Sequence, residues 1–329
     1  MKVLVTGAAG FIGSHLCERL LQFDETEVIG LDGFINPSLK QTKERNLTWL
    51  LAHPRFRFHQ VDLREANLES ILDGVQVVYH LAAMPGVRTS WGTDFQAYVD
   101  HNISATQILL EAVRNFPLKK FIYISTSSVY GEKVGKVAED CIPTPLSPYG
   151  VSKLTAEYLC KVYQQSYGIP IVILRYFTLF GPRQRSDMAF HRFINAILHR
   201  KPLSIYGDGK QTRDFTFIRD CVEGTVTALH VDGVIGETIN IGGKERASIL
   251  EVIAILEDLL NERANLKFME QLRGDPKDTW ADISKAQTLL NYNPLSSLKS
   301  GLEEQINDIR FNSVPIYKSG HIIHKESST

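Results

Sequence analysis

The sequence predicts an α/β protein: a doubly wound parallel sheet followed by a smaller α+β part. Three observations predict it. Continuously apolar segments alternate with amphipathic ones up to Arg175, a glycine-spaced turn joins the first such pair, and the alternation fades afterwards. The chain has 329 residues, room for two domains at roughly 150 residues each.

Val3–Thr6, Glu27–Leu31, Phe56–Val61, Val75–His80, Lys119–Ser125 and Ile169–Arg175 read as strands. Phe11–Gln22, Glu65–Leu72, Phe95–Asn115 and Tyr149–Tyr167 carry helical spacing between them. Val/Ile runs without alternation suit strands covered on both faces. Beyond Arg175, a helix is expected over Asp187–His199, short strands over Leu203–Asp208 and Arg213–Ile218, and helices over Ser248–Leu260 and Ser297–Arg310. The expected division is a first unit carrying the sheet, 1–177 with a return segment near 215–241, a second, smaller unit of 178–214 and 242–312, and a tail from 313 to 329.

Lys+Arg (36) and Asp+Glu (37) nearly cancel, giving a net charge of −1. Such a balance offers no basic surface for nucleic acid or an anionic membrane. With 43% hydrophobic and 22% charged residues, wholesale disorder is excluded. The longest apolar runs fall far short of the ~20 residues of a membrane span, and the first residues lack the pattern of a signal peptide. Cys17, Cys141, Cys160 and Cys221 are scattered without CxxC, as in a reduced cytoplasmic protein with neither a disulfide framework nor a metal site.

Thr6-Gly-Ala-Ala-Gly-Phe-Ile-Gly13 lies between the first strand and the first helix. Gly7 permits the tight exit from the strand, Gly10 lets backbone N–H groups approach a pyrophosphate at the helix N-terminus, and Gly13 lets helix and strand pack closely. This is the Rossmann-type dinucleotide turn; with no Lys-Ser/Thr after the last glycine, it is not an ATPase phosphate loop. Asp32 ends the second strand, where an acid bonds the adenosine ribose hydroxyls. Gly33 follows it and nothing basic is at hand for a 2′-phosphate, so NAD is favoured over NADP. Asp62-Leu63 ends the third strand, where Asp62 meets the adenine or merely caps a turn.

Tyr149-Gly-Val-Ser-Lys153 places a phenol and an ammonium one helical turn apart, behind Pro148 at a helix start. A cation, joined by a nicotinamide ring, would draw the Tyr149 pKa down from about 10 and make it a base. Ahead of it, Ile124-Ser-Thr126-Ser127-Ser128-Val-Tyr130-Gly131 leaves a strand's carboxyl end, where ligands bind in doubly wound sheets.

In this order, TGAAGFIG, HLAA (His80–Ala83), ISTSSVYG and YGVSK resemble the extended short-chain dehydrogenase/reductases that act on nucleotide sugars. The resemblance implies that NAD lies against Gly7, Gly10, Phe11, Ile12, Gly13, Asp32, Asp62, Leu63, Leu81, Ala82 and Ala83, supported by Asn102. It implies Tyr149 as base, Thr126 as the catalytic hydroxyl, and Lys153 on the nicotinamide ribose. Arg175–Pro182 resembles the segment linking the domains. Tyr206 would stack on uracil, Arg213 would bind the diphosphate, and Arg273 and Asp275 would hold the UDP ribose and phosphates. The helices 95–115 and 149–167 carry the family's usual homodimer surface.

Three reactions share that scaffold: 4-epimerisation, glucuronate decarboxylation and 4,6-dehydration. Dehydratases and decarboxylases carry a Glu after the catalytic hydroxyl, whereas Ser127-Ser128 stands here. Hydride return, hence C4 epimerisation, is the simplest outcome. Gly86-Val-Arg88 and Gly181-Pro-Arg-Gln-Arg185-Ser-Asp-Met188 resemble the members acting on UDP-glucuronate, as does Thr178, where the glucose-type epimerases usually have Asn. Arg185 would clamp the C6 carboxylate, with Arg88 the next candidate. The alternatives are a neutral UDP-glucose or N-acetylhexosamine 4-epimerase, a UDP-glucuronate decarboxylase, and a redox-sensing NAD-binding protein.

Overall fold

The computed structural model describes residues 1–270 and 274–311. Arg273 and the 313–329 tail, both singled out by the sequence, lie outside the described residues. Seven strands form one fully parallel sheet. In chain order they are β1 (Lys2–Thr6), β2 (Glu27–Leu31), β3 (Phe56–His59), β4 (Val77–His80), β5 (Lys120–Thr126), β6 (Ile171–Tyr176) and, after β7 (Thr178–Phe180), β8 (Pro202–Tyr206) and β9 (Thr212–Phe217), β10 (Thr238–Ile241). The spatial order is β10-β6-β5-β4-β1-β2-β3. With β11 (Glu245–Ser248) and β12 (Asn265–Met269), the remaining strands make a β11-β9-β7 sheet and a β12-β8 pair.

The helices are α1 (Phe11–Leu20), α2 (Lys40–Leu51), α3 (Leu68–Leu72), α4 (Phe95–Tyr98), α5 (Ala105–Val113), α6 (Pro148–Tyr167), α7 (Ala189–Leu198), α8 (Ile218–His230), α9 (Ile249–Leu260), α10 (Ser284–Leu290) and α11 (Leu298–Phe311). Alternate residues of the central strands feed two cores. Val3, Val5, Val28 and Ile122 pack with Leu16 and Leu20 of α1 and Val222 and Val226 of α8. Leu4, Val78, Phe121 and Ile173 pack with α3, α5 and α6 on the other face. Each strand buried on both faces accounts for the unbroken apolar runs.

Two of the differences from the expected elements bear on the site. The helix expected over Phe95–Asn115 is interrupted by a π-helical turn at Val99–Ser104, a feature that periodicity cannot reveal and that often marks function. Helix α2 escaped the reading because its apolar stripe is thin: only Asn46, Leu47 and Leu50 are buried.

Candidate active site

The spatial order of the sheet puts β1 between β4 and β2, so the connections after β1 and β4 diverge to opposite faces and leave a crevice at their carboxyl ends. Gly7 turns the chain there at φ +74°, and a Cβ on it would sit 2.9 Å from the Ala82 nitrogen. A Cβ on Gly13 would come within 2.1 Å of the Gly7 carbonyl oxygen. Helix α1 begins at Phe11 with no side-chain cap, so its first N–H groups remain available to an anion. Across the crevice, His80 is buried between the Thr6 and Thr106 hydroxyls at 2.8 and 2.9 Å. Thr6 Oγ1 accepts in turn from the Leu81 and Ala82 amides. These bonds fix the HLAA segment against the glycine turn. Burial pulls His80 down to about 3, with help from the Lys153 charge, so it is a neutral structural group.

Asp32 is buried at the end of β2, accepting from the Ala9 and Phe34 amides. Contrary to the expectation that nothing basic is at hand, Lys43 of α2 donates to Asp32 Oδ1 at 2.6 Å. The unrecognised helix brings it there. Asp62 takes the turn geometry: it accepts from the Arg64 amide and guanidinium, and the Arg64 hydrogen bond holds its carboxyl below the usual range. Leu63 belongs to the apolar core beneath. Cradle, uncapped helix end and ribose acid together fit a dinucleotide.

Asn102, in the π turn, accepts from the Met84 amide at 2.6 Å and donates to the Met84 carbonyl and to Ser152 Oγ. It thus ties the loop after β4 to α6. Ser147 caps α6 through the Gly150 amide, with Pro148 in its first turn. Gly150 is required by contact: a Cβ there would lie 2.6 Å from the Ser128 carbonyl oxygen. That approach brings Tyr149 to the Thr126–Ser128 loop, where Thr126 Oγ1 bonds the Ser128 amide and hydroxyl. Beneath the loop, Glu157 takes both forks of Arg175 at 2.9 and 2.6 Å and a bond from Ser125. This buried network was not read from the sequence.

Tyr149 and Lys153 share the inner face of α6. Burial raises the Tyr149 phenol above its ordinary value, opposed by a Thr126 hydrogen bond and the Arg185 charge. Lys153 is buried with its ammonium 4.2 Å from the centre of the Tyr123 ring, and burial pulls it down to about 7.

Thr178 opens β7, and Arg185 lies on the loop that follows. The Arg185 charge reaches Tyr149 and also Tyr98, whose ring meets that of Tyr149 edge-on at 6.1 Å. Arg185 is itself in a two-bond pair with Asp187. Further out, Tyr206, Lys210, Gln211, Asp275 and Lys277 line a cleft of about 430 Å³. Arg213 donates to Asp275 at 2.6 Å. Arg88 meets two of the cleft's residues: its guanidinium is 4.6 Å from the Tyr206 ring centre and 3.6 Å from Asp275. One face of the ring expected to stack on uracil is therefore already covered. Asp214, next to Arg213, is buried and accepts from the Gly243 and Ala281 amides; burial raises its carboxyl to about 6.

The family model described as NAD dependent epimerase/dehydratase matches residues 3–242. Among similar proteins, the uncharacterized UDP-glucose epimerase YtcB of Bacillus subtilis is 58% identical over 306 residues, covering 93% of this chain and 97% of that one. UDP-glucuronate 4-epimerase of Thermodesulfobacterium geofontis is 41% identical, covering 92% and 94%. The crystal structure of UDP-glucuronic acid 4-epimerase from Bacillus cereus, in complex with UDP-glucuronic acid and NAD, superposes with a TM-score of 0.94 at 57% identity, covering 95% of this chain and all of that one. With its glycine turn, hydroxyl loop and Tyr-Lys helix converging on one crevice, the chain belongs to the NAD dependent epimerase/dehydratase family.

Proposed function

We propose that the chain interconverts UDP-glucuronate and UDP-galacturonate by C4 epimerisation with a tightly held NAD. The observation that carries this reading is the catalytic centre: a Tyr149 phenol acted on by a Thr126 hydrogen bond and the Arg185 charge, with only hydroxyls at Ser127 and Ser128. An arginine fork suits a sugar carboxylate, and the B. cereus structure with UDP-glucuronic acid supports the same substrate.

Bound in the cradle, the nicotinamide supplies a reversible hydride acceptor. Tyr149 takes the proton of the C4 hydroxyl and later returns it, with Thr126 sharing the hydrogen bond to that oxygen. Lys153, buried behind the phenol, holds the nicotinamide ribose and adds positive charge. Ser127 and Ser128 can orient the sugar but cannot act as the extra carboxylate that decarboxylation or dehydration uses. Rotation of the 4-keto sugar between its two faces then sets the C4 configuration. Arg213, Asp275 and Tyr206 take the UDP end, joined by Arg273. The cofactor unit is 1–177 with 215–241, and the substrate unit 178–214 with 242–312.

A neutral-sugar 4-epimerase is the second reading, favoured by the B. subtilis relative. Incubation with UDP-glucuronate and, separately, UDP-glucose, followed by product analysis, decides between them. Conversion of UDP-glucose with UDP-glucuronate untouched overturns the first reading. We further propose a cytoplasmic homodimer: α6 exposes Val151, Tyr158, Val162 and Tyr167, an apolar stripe suited to a second copy, and among the described residues no helix is long and apolar enough to cross a membrane.

A further inference from the structure

Arginines in this molecule are paired in two manners. Arg175 with Glu157 and Arg183 with Glu18 are sealed, both partners under 10% exposed. Arg185 is different. Its Nε and Nη2 meet Asp187 Oδ1 and Oδ2 at 2.9 and 3.0 Å, yet the Asp187 side chain is 64% exposed. The two residues are in one turn, closed by the Met188 amide on the Arg185 carbonyl. The root of that turn is held independently. Arg183, in the left-handed region at φ +65°, donates its amide to Asp308 and its guanidinium to Ser14 and Glu18. Asp187 can therefore swing into solvent without the loop giving way.

A planar carboxylate taking both donors of a guanidinium is also the geometry a substrate carboxylate would adopt. We infer that Asp187 is an internal occupant of the Arg185 fork, displaced when the carboxylate of a uronic acid enters, and so sets the threshold for accepting an anionic sugar. This rests on the hexuronate reading above. An exposed pair holds weakly because water screens it and both side chains lose freedom. A carboxylate delivered by a nucleotide already anchored at its other end can displace it. A neutral sugar has nothing to exchange and meets a closed, charge-compensated pair instead of a bare cation. Asp187 acts through Arg185 and is a positioning residue, not a catalytic one.

The test is Asp187→Asn, with Asp187→Glu as the variant that keeps an anion. Asp187→Asn leaves the fork one neutral acceptor in place of a two-oxygen anion, so KM for UDP-glucuronate should fall several-fold with kcat changing less than twofold. UDP-glucose and UDP affinities should stay within twofold, and Asp187→Glu should lie near wild type. A KM for UDP-glucuronate that is unchanged or raised in Asp187→Asn overturns the inference, and a rise shared by Asp187→Glu means that Asp187 orients Arg185 while substrate is bound. If wild-type protein leaves UDP-glucuronate unconverted, the hexuronate reading fails and this inference with it; if wild type converts it, only the variants' KM values judge the inference.

Discussion

Beneath the site, Arg175 and Arg183 are sealed against Glu157 and Glu18; around its mouth, Arg185, Arg88 and Arg213 meet Asp187 and Asp275, whose side chains are 64% and 30% exposed. The sealed pairs join α6 to β6 and α1 to the loop before α7, so they set where the reacting groups stand. Those at the mouth have partners that water, and hence a ligand, can reach. Within one family fold, burial separates charge that positions from charge that can be exchanged.

The catalytic centre gives the largest effect. Tyr149→Phe removes the one atom assigned to move the proton and leaves the ring packing intact. Turnover should fall by 10²–10⁴-fold while bound NAD, followed by absorbance and by release on denaturation, stays at wild-type occupancy. Wild-type turnover in this variant would remove Tyr149 from the chemistry.

Among the sealed pairs, Arg175→Met leaves Glu157 charged, buried and without its fork. Breaking such a pair costs about 3–5 kcal/mol, so urea midpoints should drop steeply, whereas the double variant with Glu157→Met should recover part of the loss. Equal destabilisation of single and double variants would mean that the pair is not sealed as described.

Glu18 offers a pH test of the other sealed pair. Burial raises its carboxyl from 4.5 to about 7 against the pull of Arg183. A raised acid binds its proton more tightly folded than unfolded, so the native state is favoured at low pH and loses that advantage as pH climbs through 4.5–7. The Glu18→Gln variant has no such proton. Wild-type stability should decline relative to it across this window by at most about 3 kcal/mol. Parallel stability curves from pH 4.5 to 7.5 would contradict the assignment.

At the mouth the expected losses are smaller. Arg185→Ala should weaken UDP-glucuronate processing by ~1.5–3 kcal/mol in all, since the Asp187 pair given up on binding offsets part of the fork's charged hydrogen bonds, and should let residual turnover leak some UDP-pentose, because the 4-keto acid is then free to align for loss of CO₂. UDP affinity should barely change. A loss of UDP binding as steep as the loss of activity would move Arg185 to the nucleotide end.

The same contrast explains what the sequence made legible. Glycines at 7, 10 and 13, the serine–threonine run and Tyr149-x-x-x-Lys153 are local patterns whose geometry follows from short-range contact, and the sheet follows from apolar runs buried on both faces. Lys43 and Glu157 carry no such pattern, and the motifs that hold Arg88 and Asp187 do not say what each side chain meets. Their partners are 11 and 18 residues away for Lys43 and Glu157, and for Arg88 more than a hundred, across the cleft at Tyr206. Only Asp187, two residues from Arg185, had a signal in reach: an Arg-x-Asp turn can close on itself.

Lys43 supplies the finest test of the division, because it places exchangeable charge inside the otherwise fixed cofactor end. Asp32 alone would repel a 2′-phosphate strongly; Asp32 with Lys43 at 2.6 Å repels it less. Removing the lysine should therefore sharpen the choice of NAD over NADP. The carboxylate should stay in place when Lys43 is lost, since the Ala9 and Phe34 amides still hold it. Lys43→Ala then leaves an anion without its partner at the ribose. A partly exposed ion pair is worth up to about 1 kcal/mol, so the NAD:NADP affinity ratio should widen by about fivefold at most, chiefly through weaker NADP binding. Titration of cofactor-free protein with each dinucleotide at two ionic strengths measures it, and the widening should shrink at high salt as screening weakens the repulsion. A ratio that narrows instead would mean that Lys43 neither offsets Asp32 nor faces the 2′ position, and that α2 has no part in choosing the cofactor.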